Sequence, residues 1–310
     1  MNSESTNANL SIGLALGSGS SRGLSHIGII RALEALGVVP DVICGTSVGA
    51  LVGASYMANK LDTLEEWACS LTKYEQMKFL DINASLNGFV NIARFQQFLN
   101  ENVASDDALI EDYPKKFAAV ATDLETGREV WLSSGSLTKA VWASFSLPGL
   151  FPAIWHNDGW LVDGGLVNPV PVSVCRALGA DIVIAVNLNG DIVGKHRRVS
   201  KQAIKKEEGI TAKLTDMVRE YSGLLFSSTK VDHQPPGLLD AIAGSFNITQ
   251  DRITRSRLAG DPPDIILSPK LADIGLLEIY RAREAIEEGE KCVQRMVPEI
   301  THLLAMSHHN

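Results

Sequence analysis

Three short stretches of this chain carry residue types that can do chemistry together. The first is Gly45-Thr46-Ser47-Val48-Gly49. It follows the apolar run Val42-Ile43-Cys44 and opens an Ala-rich apolar segment from Val48 to Tyr56, so it reads as strand, tight turn and helix. A serine at the apex of such a turn is pushed out of the local fold. Glycines on each side, Gly45 and Gly49, permit the bend, because a Cβ there would crowd neighbouring backbone. The Val48 N–H, at the new helix N-terminus, is placed to donate to a developing oxyanion. This is the layout of an esterase nucleophile. The competing reading is a Gly-rich turn whose serine is only a cap, and five residues by themselves do not choose between the two.

A serine hydroxyl needs a base within hydrogen-bond reach. Histidine oriented by aspartate is the familiar solution. The seven histidines are His26, His156, His196, His233, His302, His308 and His309, and none ends a convincing strand in the second half of the chain. His26 opens a helix and reads as a capping or packing residue. The second stretch, Leu161-Val162-Asp163-Gly164-Gly165, offers an aspartate instead. It is a strand followed by a double-glycine turn, and α/β proteins place their sites in loops at the carboxyl ends of parallel strands. Gly164 and Gly165 let the backbone approach another loop, and Asp163 could take the Ser47 proton directly. The competing reading is an Asx-turn aspartate, common before glycine.

The third stretch is Gly17-Ser18-Gly19-Ser20-Ser21-Arg22-Gly23. As a dinucleotide fingerprint it is one residue too long, and the second strand ends in Cys44-Gly45 rather than in an acid for a ribose hydroxyl. As an oxyanion hole it is better formed. Successive N–H groups in a Gly-rich turn make an anion-binding concavity, with a helix dipole behind it. Arg22 would fix the loop by pairing with backbone carbonyls.

The elements that must position these stretches alternate in type. Strands are expected at Ile12–Leu16, Val42–Cys44, Phe117–Thr122, Glu129–Leu132, Trp160–Val162, Ile182–Val186 and Ile265–Leu267. Helices are expected at Ser25–Leu36 with a Gly37 cap, after Ser47, at Asp62–Leu71, at Ser136–Ser144 and over much of Leu276–Ala305, with a break at Pro298. Leu80 to Val90 reads as a loop. Several strands are apolar on both faces, which predicts an α/β fold with a mostly parallel central sheet covered by helices. The expected organisation is a disordered tail over 1–10, a catalytic core over 11–190, a mobile basic insertion over 191–236, and a helical part with the final strand over 237–310.

Composition narrows the classes. The chain has 310 residues, 45% of them hydrophobic, which is ample for one sizeable core. A net charge of −8 argues against bulk nucleic-acid binding. Cys44, Cys69, Cys175 and Cys292 are far apart and form no CxxC, so no zinc site or disulfide framework is indicated; they read as small buried residues in a reducing cytoplasm. No apolar run approaches the ~18 residues of a membrane helix. Lys195 to Lys206 carries six basic residues and no acid: Lys195, Arg197, Arg198, Lys201, Lys205 and Lys206. It reads as a solvated insertion, or as a lid or contact for anionic headgroups at the inner membrane.

Taken in order, the three stretches resemble those of the patatin-like phospholipases, on the side of the bacterial branch near RssA and the catalytic domain of neuropathy target esterase. The resemblance runs from about Ile12 to Val186. Ser144-Phe145-Ser146-Leu147-Pro148-Gly149 and the Gly260-Asp261-Pro262-Pro263-Asp264-Ile265 stretch are also similar to that family. It implies the family's three-layer fold and a Ser–Asp dyad that hydrolyses acyl esters of phospholipids or lysophospholipids, with no cofactor, metal or histidine in the chemistry. Carried over, Ser47 is the nucleophile and Asp163 the base. Ser18, Gly19 and Ser20 supply oxyanion donors with Val48, steadied by Arg22. The family loop is typically richer in glycine at the positions of Ser18 and Ser20, and a residue with a Cβ resists positive φ. Two rivals keep the same fold: a regulatory protein that binds lipid or a partner, and an acyltransferase using the same serine.

Overall fold

The computed structural model describes residues 10–80, 92–192 and 238–307. Residues 1–9 of the expected tail, the 81–90 part of the expected loop and the Lys195–Lys206 segment lie outside the described residues. The first unit is β1 (Ile12–Leu16), α1 (Ser25–Ala35) and β2 (Val42–Thr46), which leads through Ser47 into α2 (Val48–Met57). Helices α3 (Leu61–Ser70), α4 (Lys73–Leu80) and α5 (Ile92–Asn102) precede β3 (Lys116–Asp123) and β4 (Glu129–Leu132). Then come α6 (Leu137–Phe145), β5 (Ile154–His156), β6 (Gly159–Asp163), α7 (Val172–Ala177) and β7 (Ile182–Val186). Beyond the basic segment lie α8 (Leu238–Gly260), β8 (Ile265–Leu267), α9 (Ala282–Gln294) and α10 (Val297–Ser307).

The eight strands form one sheet in the order β5-β6-β3-β2-β1-β7-β8, with β4 paired to β3. Strands β3, β2, β1, β7 and β8 run parallel; β4 and β6 pair antiparallel to β3, and β5 pairs antiparallel to β6. The period of two sorts the side chains into layers. Leu14, Leu16, Ile43, Phe117 and Ala119 pack on the face covered by α1, α2, α3, α5, α6 and α9. Ala15, Val42, Cys44, Ala118 and Val120 pack on the opposite face with Val172, Val174 and Cys175 of α7. Both faces are therefore dry, as parallel strands require.

Expected and observed elements agree in type, with four differences. Helices α4 and α5, strand β5 and helix α7 were not among the expected elements, although Phe95, Phe98 and Leu99 of α5 do follow helical spacing. The C-terminal stretch is two helices, with the break at the expected place. It breaks before Pro298, which sits in the first turn of α10, where a missing N–H costs no intrahelical bond. Cys44, Cys175 and Cys292 are buried free thiols, while Cys69 is only partly covered. Among the described residues no helix is long and apolar enough to cross a membrane.

Strand β3 sets where its neighbours end. Its Ala119 pairs with Gly45 of β2 and with Leu132 of β4, so β2 and β4 lie on opposite edges. Its Ala121 pairs with Val130 of β4 and with Asp163 of β6, so β6 shares the β2 edge. β2 ends with Thr46 opposite Val120, and antiparallel β6 ends with Asp163 opposite Ala121. Two strands thus run toward each other along one edge and stop one β3 residue apart, a step of about 3.3 Å.

Candidate active site

Ser47 stands at the stop of β2 with φ 57° and ψ −123°, a positive-φ conformation for a residue with a Cβ. Such strain costs on the order of 1–3 kcal/mol and persists only where surroundings over-determine it. Here the Ser47 N–H donates to Ser144 Oγ at 2.8 Å, and Ser144 Oγ donates to Val120 O at 2.6 Å. The tight bend also needs its glycines. A Cβ on Gly45 would collide with the Ala50 backbone, and one on Gly49 with Leu16 O. Val48 is the first residue of α2, so its N–H has no partner within the helix.

Asp163 meets Ser47 head on. Ser47 Oγ donates to Asp163 Oδ2 at 2.6 Å, and the Gly165 N–H donates to Oδ1 at 2.7 Å. The backbone of Asp163 is held as well: its N–H donates to Ser146 O at 3.0 Å, and Thr122 Oγ1 donates to its carbonyl at 2.9 Å. The turn after it packs so closely that a Cβ on Gly164 would collide with Val120 O. Thr46 Oγ1 donates to Asn168 O at 2.8 Å and ties this turn to the end of β2. Ser144, Ser146 and Thr122 went unassigned in the sequence. Ser144 and Ser146 belong to the Ser-Phe-Ser-Leu-Pro-Gly stretch, which is the signal that could have found them.

Burial pushes the Asp163 carboxyl up to about 6, against the opposing hydrogen bonds from Ser47 and Gly165. An aspartate normally titrates near 3.9 when unfolded, so folding favours its protonated form. The stability this contributes is fully present below about pH 3.9 and is lost as pH rises through about 6. Asp163→Asn mimics the protonated form in size and polarity. Its melting temperature is expected to exceed that of the natural protein at pH 8, by the equivalent of about 3 kcal/mol at most, and to converge with it near pH 4. Thermal melts of both proteins across that range check the sign.

The Gly17–Gly23 loop sits beside this pair, at the carboxyl end of β1. The Ser18 N–H is not free for an oxyanion: it donates to Pro169 O at 2.8 Å. This corrects the expected donor set, because the loop packs on the Pro169 turn there and satisfies that amide internally. Gly19 and Ser20 come next; Ser20 takes φ 53°, so a serine adopts the turn that glycine would take without strain. Arg22 is buried, and its Nε donates to Gly19 O at 3.1 Å, as its place in the loop predicts. Its Nη2 also donates to Asn247 Oδ1 of α8 at 3.0 Å. Burial lowers its pKa to about 10, so it stays charged at neutral pH. His26 is fully buried with Nε2 2.8 Å from Gly17 O. A carbonyl only accepts, so Nε2 carries the proton; burial lowers the ring to about 4, and His26 is neutral scaffolding for the loop.

Ser47, Asp163, Ser18, Gly19 and Ser20 line one cavity, and most of its other lining residues are apolar. Six of the chain's nine phenylalanines line it, Phe246 of α8 included, in a protein poor in aromatics. Trp67, Phe79, Phe95, Phe98, Phe145 and Phe151 are its aromatic cluster. They interlock: Trp67 and Phe98 centroids are 4.3 Å apart, and Phe95 and Phe151 are 4.8 Å apart. Two come from α5, where Phe95, Phe98 and Leu99 follow helical spacing, a pattern the sequence did contain. Polar reacting groups in a cavity of mostly apolar lining suit an ester with a hydrocarbon tail.

Residues 14–176 match the family model described as patatin-like phospholipase. An uncharacterised NTE family protein of Mycobacterium tuberculosis is 30% identical over 90% of this chain and 89% of its own length. Lysophospholipase NTE1 of Pyricularia oryzae is 31% identical over 91% of this chain, which spans only 18% of that longer protein. The solved structure of VipD from Legionella pneumophila matches with a TM-score of 0.46 at 11% identity, over 94% of this chain and 67% of that one.

Proposed function

The chain belongs to the patatin-like phospholipase family, a family of lipid ester hydrolases, and from that premise we propose that Ser47 and Asp163 form a two-residue dyad cleaving acyl esters of phospholipids or lysophospholipids. The observation that carries the dyad is the 2.6 Å hydrogen bond from Ser47 Oγ to Asp163 Oδ2, with no histidine between them. Support for the substrate class comes from the aromatic cavity wall and from relatives named lysophospholipases.

Ser47 Oγ attacks the ester carbonyl carbon while Asp163 takes its proton. The amides of Gly19, Ser20 and Val48 receive the oxyanion. Collapse expels the lipid alcohol, which takes the proton from Asp163, and leaves the acyl group on Ser47. Water then releases the fatty acid. A carboxyl raised to about 6 is a stronger base than an ordinary aspartate and is still ionised at neutral pH. The deciding experiment is treatment with a fluorophosphonate followed by peptide mass spectrometry. Adduct at Ser47 together with release of fatty acid from lysophospholipid supports the reading. Lipid binding without adduct or release favours the regulatory rival, and acyl transfer to added alcohols in preference to water favours the transferase.

Arg22 is the part of this machinery easiest to test apart from the dyad. One guanidinium spans Gly19 O and Asn247 Oδ1; a lysine has a single nitrogen and cannot span both. Arg22→Lys is expected to lower kcat by roughly 10- to 100-fold through a loosened oxyanion loop. Labelling of Ser47 should slow in parallel, measured on protein shown to be folded.

Contact with an anionic membrane through the Lys195–Lys206 segment belongs to the same reading. It is motivated by six basic charges without an acid. Each is worth about 1 kcal/mol near anionic headgroups, and salt screens it. Neutralising all six is expected to reduce hydrolysis on anionic vesicles and to spare soluble aryl esters. Equal losses on both substrates would contradict a membrane role.

A further inference from the structure

Helix α8 turns polar residues toward the core. Among its described residues the buried ones are Gln250, Asp251 and Thr254, where an ordinary surface helix buries an apolar stripe. Asn247, Gln250, Thr254 and Arg257 follow helical spacing along one face and span about 15 Å. Both ends of that face reach the candidate site. At one end Asn247 Oδ1 accepts from Arg22 of the Gly17–Gly23 loop. At the other, Arg257 Nε donates to Val167 O at 2.7 Å, and its Nη2 donates to Glu129 Oε2 of β4 at 2.6 Å.

Those two bonds fall on the turn that follows Asp163. The N–H groups of Val167 and Asn168 both donate to Gly164 O, at 3.0 and 2.9 Å. Glu129 Oε1 accepts from Asn168 Nδ2 at 2.7 Å, so a single ion pair holds Val167 through its arginine and Asn168 through its glutamate. From the other side Thr46, the neighbour of Ser47, donates to Asn168 O. Inside the turn the Gly165 N–H fixes Asp163 Oδ1, which leaves Oδ2 aimed at Ser47 Oγ. We propose that Arg257 is a positioning residue, holding the Gly164–Asn168 turn from outside so that Asp163 stays aimed at Ser47. The inference rests on the dyad reading. A planar guanidinium presents Nε and Nη2 along one edge, so it reaches a carbonyl and a carboxylate at once. Arg257 does not line the cavity, so it acts on the base and not on the substrate. Displacing a catalytic group by about 1 Å can cost on the order of 100-fold in rate.

The test combines steady-state hydrolysis of p-nitrophenyl butyrate with the rate of Ser47 labelling by fluorophosphonate, on variants that melt cooperatively. Arg257→Gln is expected to lower kcat by roughly 10- to 100-fold, to leave KM within about threefold, and to slow labelling in parallel. Arg257→Lys keeps a charge for Glu129 and should recover part of kcat. Glu129→Gln, which keeps the size of that side chain, should slow both reactions. The double variant should be no slower than Arg257→Gln alone, because both changes act through one turn. Arg255→Gln is the control: Arg255 pairs with Asp251 of its own helix, and its loss should leave kcat unchanged. Natural kcat in folded Arg257→Gln overturns the inference and leaves the dyad standing, whatever happens to the melting temperature. An equal loss in Arg255→Gln, or a rise in KM with kcat unchanged, overturns it as well. If Arg257→Gln does not fold, the same outcomes are read on Arg257→Lys and Glu129→Gln. A natural protein that is neither labelled at Ser47 nor active overturns the dyad and this inference together.

Discussion

Ser47→Ala is expected to lower ester hydrolysis by roughly 10⁴- to 10⁶-fold, the range seen when the nucleophile of a serine hydrolase is removed. What is left is the contribution of the oxyanion amides and of substrate binding. The variant should also lose all labelling by fluorophosphonate. Its stability should change little, for a reason visible in the structure. Ser47 is only 8% exposed, so it is not the exposed side chain that its place at a turn apex suggests. The one bond lost is that to Asp163 Oδ2. Without the Ser47 donor, which lowers it, the carboxyl is pushed further up and takes up a proton more readily rather than remaining a buried, unpaired charge. The expected cost is about 1–2 kcal/mol at neutral pH. Urea unfolding at pH 7 measures that cost, and turnover by highly purified protein measures the rate. Sustained turnover in that preparation would place the nucleophile elsewhere.

Asp163→Asn is expected to be nearly as damaging, by roughly 10³- to 10⁵-fold, and no single histidine variant should match it once folding is accounted for. Asparagine keeps the size, can accept from the Gly165 N–H and can hydrogen-bond to Ser47, but it cannot take a proton. The loss of activity should therefore accompany higher thermal stability above pH 6. That pairing distinguishes a missing base from a damaged fold. In the natural protein, turnover should fall as pH drops through about 6, because protonated Asp163 cannot accept the Ser47 proton. A panel of Asp163→Asn and seven His→Ala variants, each checked for folding and then for rate, makes the comparison. His26→Ala is the one histidine change expected to matter. It would act through stability, since its ring holds Gly17 O from a fully buried position. A folded, inactive histidine variant beside an active Asp163→Asn would replace the dyad with a triad.

The local sequence determined what local physics controls. The both-faces-apolar runs specified buried strands, and glycines at positions 45, 49 and 164 specified backbone approaches that no Cβ tolerates. Arg22 could be assigned to the carbonyls of its own loop because its partner is three residues away. Helix α5 was legible in the spacing of Phe95, Phe98 and Leu99, but its place in the cavity wall was not, because that depends on packing against α3, α4 and α6. The meeting of Ser47 with Asp163 spans 116 residues and depends on both strands ending against one edge of β3. No turn signal encodes that register. The same holds for the Ser18 amide, which is used up by Pro169 from a distant loop, and for Ser144, which fixes the strained serine from α6. The Asp163 carboxyl is raised by removal of water, which results from everything packed around it. Residue types and turns are properties of short segments; register, burial and the leftover hydrogen-bond capacity of a buried group exist only once distant segments have closed over one another.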